Sequence, residues 1–226
     1  MRIRWHGQSA FTLTGDGGTV LIDPFDMRAR PAGSSFKFDY PQIPPQTVDL
    51  VLITHEHFDH NGLAVAAGEP AVIRSTAGHI DSPLGEVVAV AGEHDAEAGT
   101  RRGPNTLFAF ALDGVRVGHL GDLGQEALRP AQAAALGTVD LLFVPVGGGP
   151  TIDADGAAAV VAELDPRWVV PMHYATPALD FVAPADAFLD RFDSVTRFDA
   201  SEFELADAPS DGRGHVLVPA PPSAGG

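Results

Sequence analysis

The chain of 226 residues contains no cysteine. That excludes disulfides, thiolate metal sites and a cysteine nucleophile, so any bound metal must sit on His, Asp and Glu. Lysine is almost missing as well, with Lys37 alone beside thirteen arginines. Thirty acidic residues against 14 basic ones leave a net charge of −16. A surface of that sign repels phosphate backbones and argues against nucleic acid as a partner. There is no run of about 18 apolar residues, so no membrane contact is expected. No signal-type stretch follows Met1, and the lack of cysteine is compatible with a reducing compartment; the expected location is cytoplasmic. No period of 20 to 50 residues repeats, which argues against a solenoid.

What is present is a chain long enough for one domain with a sizeable core. The domain is expected over 1–218. Residues 219–226, rich in Pro, Ala and Gly, have the composition of a disordered tail. Short apolar or β-branched runs bounded by Gly, Pro or Asp predict strands at 2–5, 10–14, 19–22, 49–54, 71–74, 86–91, 106–112, 115–119, 140–145, 167–171, 195–198 and 215–218. Asp113-Gly114 between two of these runs is a hairpin signal. Helices are expected at 61–67, 124–136, 153–164 and 184–191, the third capped by Asp153. The pattern suggests two packed sheets with helices outside. Residues 24–47, with five prolines and four aromatics, read as a long functional loop.

The densest chemistry lies at His55-Glu56-His57-Phe58-Asp59-His60, directly after the apolar run 48–54. Packing has no use for three imidazoles and an aspartate within six residues, whereas a divalent metal does. His94, Asp122 and His173 each follow another expected strand, so strands ending on one edge would gather all of these groups. His55, His57 and His94 supply three imidazoles for one ion. Asp59, His60 and His173 serve a second, and Asp122 can bridge, since a carboxylate has two oxygens. Two divalent ions, zinc first with manganese or iron as alternatives, would lower the pKa of a shared water and polarise a scissile carbonyl or phosphoryl group. Asp59 could also orient the resulting hydroxide or take its proton.

The order His55-x-His57-x-Asp59-His60, His94, Asp122, His173 resembles the metallo-β-lactamase superfamily. Ile3-Arg4-Trp5, Gly118-His119-Leu120-Gly121-Asp122 and Pro171-Met172-His173-Tyr174 resemble its branch of small metal-dependent hydrolases that includes ascorbate-6-phosphate lactonase. The resemblance covers nearly the whole chain. It implies an α+β fold, a four-layer αββα sandwich, with a dinuclear site. True β-lactamases of this superfamily lack the bridging aspartate that this chain has in Asp122, so antibiotic hydrolysis is not expected. The chain departs from the branch at Gly7-Gln8-Ser9, where Gly-His-Ser or Gly-His-Ala is common, and at Leu123, where a hydroxyl residue is common.

The expected activity is hydrolysis of a small ester, lactone or phosphodiester, possible anionic substrates included, by a protein that is a possible homo-oligomer. A nuclease would need a basic groove. A non-catalytic scaffold on the same fold would be marked by a lost ligand, and none is lost. Five further residues have two readings each. Asp23 either orients a ligating histidine or makes an Asx turn before Pro24. His119 is either packed or braces a ligand. Arg101, Arg102 and Asn105 either clamp an anion at the cleft mouth or belong to a solvated turn. His6 is undecided near the site edge, and His79 and His215 read as surface residues. Gly147-Gly148-Gly149-Pro150 lacks the Lys-Ser or Lys-Thr of a P-loop and reads as a tight strand-to-helix connection near the metals.

Overall fold

All four residues of Leu50–Ile53 are buried, as a central strand covered on both faces requires. The computed structural model describes residues 1–33, 36–209 and 211–223 and shows how both faces are covered. The elements run β1 (Arg2–Gly7), β2 (Ala10–Gly15), β3 (Gly18–Ile22), β4 (Gln46–Thr47), β5 (Leu50–Ile53), β6 (Ala66–Ala67), β7 (Ala71–Arg74), β8 (Gly78–Ser82), β9 (Gly85–Glu93), β10 (Pro104–Leu112), β11 (Val115–His119), α1 (Pro130–Leu136), β12 (Leu141–Pro145), α2 (Ala154–Leu164), β13 (Trp168–Met172), α3 (Asp186–Leu189), β14 (Val195–Arg197), β15 (Glu202–Glu204) and β16 (His215–Val218). One sheet has the order β15-β1-β2-β3-β5-β7; the other has β14-β16-β13-β12-β11-β10-β9-β8. Each begins as antiparallel hairpins and continues through parallel pairs, β3–β5–β7 in the first and β11–β12–β13–β16 in the second.

The two sheets meet through alternate residues. Phe11, Val20, Ile22, Leu50 and Leu52 share one core with Phe108, Val117 and Phe143 of the second sheet. The Phe11 and Phe143 rings lie 4.5 Å apart across that junction. The intervening residues Leu21, Val51 and Ile53 face outward and pack on Phe25, Phe38, Tyr40 and Ile43 of the proline-rich segment. That outer layer is a loop: Phe25 and Tyr40 both meet Phe38 edge-on, which replaces the packing a helix would supply. On the far side, α2 buries Ala157, Val160, Val161 and Leu164. The architecture is the expected α+β sandwich.

Several expected elements are shorter or absent. The helix at 61–67 is a 3-10 turn over Leu63–Val65 followed by β6. Gly62 lies against the backbone of Phe25 and Asp26 with its N–H bonded to Pro24 O, which holds the chain off a helical path. The helix at 124–136 starts only at Pro130, which has no N–H to give a preceding turn. That at 184–191 contracts to Asp186–Leu189. Strands β4, β6, β8 and β15 were not expected; β8 carries Gly, His, Asp and Ser with no buried residue, so hydrophobic patterning misses it. The Asp113-Gly114 turn forms as expected, with φ of +51° and +77°. Beyond 218, Pro219 is buried and Ala220 N donates to Ala200 O. Residues 224–226 lie outside the described residues.

His6 sits inside this frame, away from the other histidines. Its Nε2 meets Thr12 Oγ1 at 2.7 Å, and Thr12 donates onward to Gln46 Oε1 at 3.1 Å. Burial, with help from the Arg4 charge, pushes its pKa from 6.5 to about 4. The unfolded chain therefore binds the extra proton first. His6 favours folding fully above pH 6.5, and that contribution is lost as pH falls toward 4, a swing of about 3 kcal/mol. In urea titrations, the stability difference between wild type and His6→Asn should move by that amount in the variant's favour from pH 7 to pH 4. A difference independent of pH would contradict the burial argument.

Candidate metal centre

Four strand ends deliver the polar groups. His55 follows β5, His94 follows β9, Asp122 follows β11 and His173 follows β13, and all four are buried. They converge on one oxygen. Asp122 Oδ2 lies 3.2 Å from His94 Nε2, 3.2 Å from His173 Nε2, 3.3 Å from His60 Nε2 and 3.9 Å from His55 Nε2. Its other oxygen, Oδ1, accepts from Ser9 Oγ at 3.2 Å. Ligand atoms of His55, His57 and His94 form one compact group, and those of His55, His60 and Asp122 a second. Asp59 Oδ2 stands 3.5 Å from His60 Nε2. The seven residues expected to gather do so.

The electrostatics suit a cation. Burial, then repulsion from His60, holds His55 well below an ordinary imidazole pKa. Burial, then His94, lowers His57. Both rings are held toward the neutral form, and they share a hydrogen bond between His55 Nε2 and His57 Nδ1 at 3.0 Å. Burial opposes ionisation of Asp122, but His173 and His60 overcome it and hold the carboxyl well below its usual range. For Asp59 burial again opposes, and His60 wins, bringing it to about 2. Burial would lower His60, yet Asp122, Asp59 and Asp23 together raise it well above 6.5. Its buried Nε2 has no aligned hydrogen-bond partner despite the nearby carboxylate oxygens. Buried carboxylates, neutral imidazoles and an orphaned ring nitrogen make a donor set that fits divalent ions, which would displace the His60 proton.

A layer of hydrogen bonds fixes which nitrogen each ring presents. Asp23 accepts from Thr54 N at 2.8 Å, Thr54 Oγ1 at 2.7 Å and His60 Nδ1 at 2.9 Å. A carboxylate can only accept, so His60 keeps a proton on Nδ1 and turns Nε2 toward the cluster. Thr54 Oγ1 has given its proton to Asp23, so it accepts from His55 Nδ1 at 3.0 Å; His55 Nε2 then faces the cluster, where it accepts from His57 Nδ1 at 3.0 Å. His94 Nδ1 donates to Pro150 O at 3.0 Å. His119 lies outside the ligand group: its Nε2 donates to Ser9 O and its Nδ1 accepts from Gly121 N. It braces the turn that carries Asp122.

Arg101 and Asn105 are not placed as a clamp at the mouth. Asn105 is buried behind the site, giving Nδ2 to Leu120 O at 2.8 Å and taking Asp122 N at 3.1 Å. It holds the 120–122 turn, because Gly121 leaves no side chain there: a Cβ would meet Asn105 Oδ1 and Thr54 Cβ. Arg101 is exposed and reaches Glu97 Oε1 at 3.3 Å. A cavity of about 750 Å³ opens over the cluster, with Phe36, Phe58, Phe181 and Arg102 in its walls and His57, Asp59 and Asp122 on its floor.

A family model described as a beta-lactamase superfamily domain matches residues 2–173. The chain belongs to the metallo-β-lactamase superfamily. It is 32% identical over 207 residues to a UPF0173 metal-dependent hydrolase of Nitratidesulfovibrio vulgaris, covering 79% of this chain and 82% of the relative. A second UPF0173 metal-dependent hydrolase, from Anaeromyxobacter dehalogenans, is 29% identical over 213 residues, with 78% and 76% covered. A crystal structure from Thermotoga maritima, assigned as a Zn-dependent hydrolase of this superfamily, superposes with a TM-score of 0.77 at 34% identity and covers 96% of this chain and 98% of its own. The protein is a metal-dependent hydrolase.

Two residues of this metallo-β-lactamase superfamily member escaped the sequence reading of the site. Gln8, where a histidine is common, is fully buried and gives Nε2 to Asp59 Oδ2 at 3.0 Å. Ser9 holds Asp122. The signal was available in the departure Gly7-Gln8-Ser9, which marks the position without revealing what its side chains touch. Gln8, Asp23 and His173 also have positive φ (+52°, +46° and +52°), a conformation that costs non-glycine residues and concentrates at functional sites.

The Asp23 network generates a direct expectation. Asp23→Asn keeps the shape but loses one acceptor and puts an N–H where His60 or Thr54 needs an oxygen. Divalent-metal affinity, measured by competition with a chromophoric chelator, should weaken by about 10–100-fold with the fold intact by circular dichroism. Unchanged affinity would show that the network does not orient His60.

Proposed function

We propose that the hydrolase works with two divalent ions, zinc first and manganese or iron as alternatives, and cleaves a small ester, lactone or phosphodiester. The observation that carries this reading is the position of Asp122 Oδ2 between four imidazole Nε2 atoms at 3.2–3.9 Å. One carboxylate oxygen so surrounded is suited to serve two ions together. His55, His57 and His94 would hold one ion; Asp59, His60 and His173 would hold the other.

When bound, the ions supply a nucleophile from water at neutral pH and polarise the scissile carbonyl or phosphoryl group. The protein's own part is to position and to move protons. Asp59 faces the cavity, is anchored by Gln8, and stays ionised at neutral pH, so it can orient the attacking water and accept its proton. Asp23 and the Pro150 carbonyl keep His60 and His94 in the tautomers that aim Nε2 inward. The phenylalanines of the cavity wall exclude bulk water and strengthen these interactions. A net charge of −16 favours a small substrate over a polyanionic nucleic acid.

Elemental analysis of the unchelated protein should give about two metal ions per chain. A panel of bis-p-nitrophenyl phosphate, acyl esters and lactones should show turnover of one class. His57→Ala and Asp122→Ala should each lose metal and at least about 100-fold in activity. Full metal content and full activity in both variants would overturn the assignment.

A further inference from the structure

The cavity above the metal cluster has two walls of opposite character. One is aromatic. Phe36 comes from the proline-rich segment, Phe58 from the His55–His60 turn and Phe181 from the loop after β13. The Phe36 ring lies 4.9 Å from Phe181 and 6.1 Å from Phe58. Phe181 also meets His173 edge-on at 6.1 Å, so the aromatic wall reaches the floor. Phe181 is 39% exposed and, with Phe36 and Phe58, forms an apolar patch at the cavity.

The other wall is cationic. Arg102 lines the same cavity and also a neighbouring one of about 510 Å³, the two sharing Gly149 and Pro150. Several other arginines of this acidic chain pair with carboxylates, among them Arg28 with Asp26, Arg74 with Glu56, Arg129 with Glu93 and the adjacent Arg101 with Glu97; Arg116 instead bonds Leu136 O and Arg167 lies over the Trp168 ring. The Arg102 guanidinium has no hydrogen bond or ion pair among the described residues. The backbone beneath it is fixed. Asp95 accepts from the N–H groups of Glu97, Gly99, Arg101 and Arg102 at 2.8–3.0 Å, so the loop presenting this side chain is pinned from below. A guanidinium carried on a pinned backbone beside a cluster of metal-binding type, with no carboxylate partner of its own, is suited to a carboxylate or phosphate oxygen.

We infer that the substrate is an amphipathic anion. Its apolar, ring-sized group packs between Phe36, Phe58 and Phe181, its anionic group meets Arg102, and its scissile bond lies between them over the floor. The inference rests on the hydrolase reading only for the last of these positions. Arg102 and the three phenylalanines bind and orient substrate and take no part in bond cleavage.

An amide series without an ester bond tests the two walls separately from ester turnover. Phenylacetylglycine, its neutral primary amide and acetylglycine are titrated calorimetrically into metal-loaded wild type, Arg102→Ala and Phe181→Ala. Wild type should bind phenylacetylglycine about tenfold or more tighter than either of the others. Arg102→Ala should bring the acid-to-amide ratio to about one, and Phe181→Ala should reduce the phenylacetyl-to-acetyl ratio severalfold. Equal binding of all three ligands by wild type would overturn the proposal. So would an acid-to-amide ratio that survives Arg102→Ala, because the carboxylate would then sit on the metals. Absence of turnover of separate ester, lactone and phosphodiester substrates with these ratios intact would refute the reaction class and leave the binding assignment standing.

Discussion

The structure turns on one buried carboxylate. Asp122 is held ionised and almost wholly buried, ringed by four histidines, so its charge is balanced mainly by its neighbours. With Asp59 and Asp23 it raises the His60 pKa well above the ordinary imidazole value. Carboxylates and imidazoles gathered in this way are a donor set suited to divalent cations. The neighbouring architecture follows from having to keep this oxygen where it is. Gly121 is the only residue that fits behind it, Asn105 and His119 grip its turn from two sides, and Ser9 occupies its other oxygen.

The second organising feature is that orientation is transmitted through hydrogen bonds from strand cores to ring nitrogens. Asp23 closes β3 in a positive-φ conformation and reaches the β5 exit at Thr54. From there it controls His60 directly and His55 through the Thr54 hydroxyl. A buried, fully satisfied network of this kind is rigid, so two metal-facing rings share one anchor set in the sheet itself. The outer loop layer serves a different end. Phe25, Phe38 and Tyr40 pack on the first sheet, and that packing carries Phe36 to the cavity mouth.

Much of this was legible in the sequence because the candidate ligands sit where strands end, and strand ends are what hydrophobic runs reveal. His55, His94, Asp122 and His173 could each be placed by the run before them. The interior of the fold was legible for the same reason: 49–54, 106–112 and 115–119 read as strands and are strands, give or take a residue or two. What failed was local backbone control by distant contacts. The segment 61–67 has helical composition, but Gly62 is pressed against Phe25 and Asp26, a contact that only the tertiary structure supplies. Asn105 looked like a mouth residue because it follows two arginines; its strand position turns it inward. Gln8 stood out as a departure from a resemblance, yet its bond to Asp59 spans 51 residues and has no sequence signature. Strand β8 lies at a sheet edge with Ile80 as its single apolar side chain, too little for a periodic signal.

The central claim is that one carboxylate joins two metal ions. Mn(II) offers a direct readout, since two ions bridged by a common ligand couple magnetically and isolated ions do not. The apo protein is loaded with one and then two equivalents of Mn(II) and followed by electron paramagnetic resonance. The account predicts a spin-coupled pair at two equivalents, with loss of the isolated six-line signal, and no coupled signal in Asp122→Ala. An uncoupled six-line spectrum at two equivalents in the wild type, or binding that saturates at one ion, would contradict it.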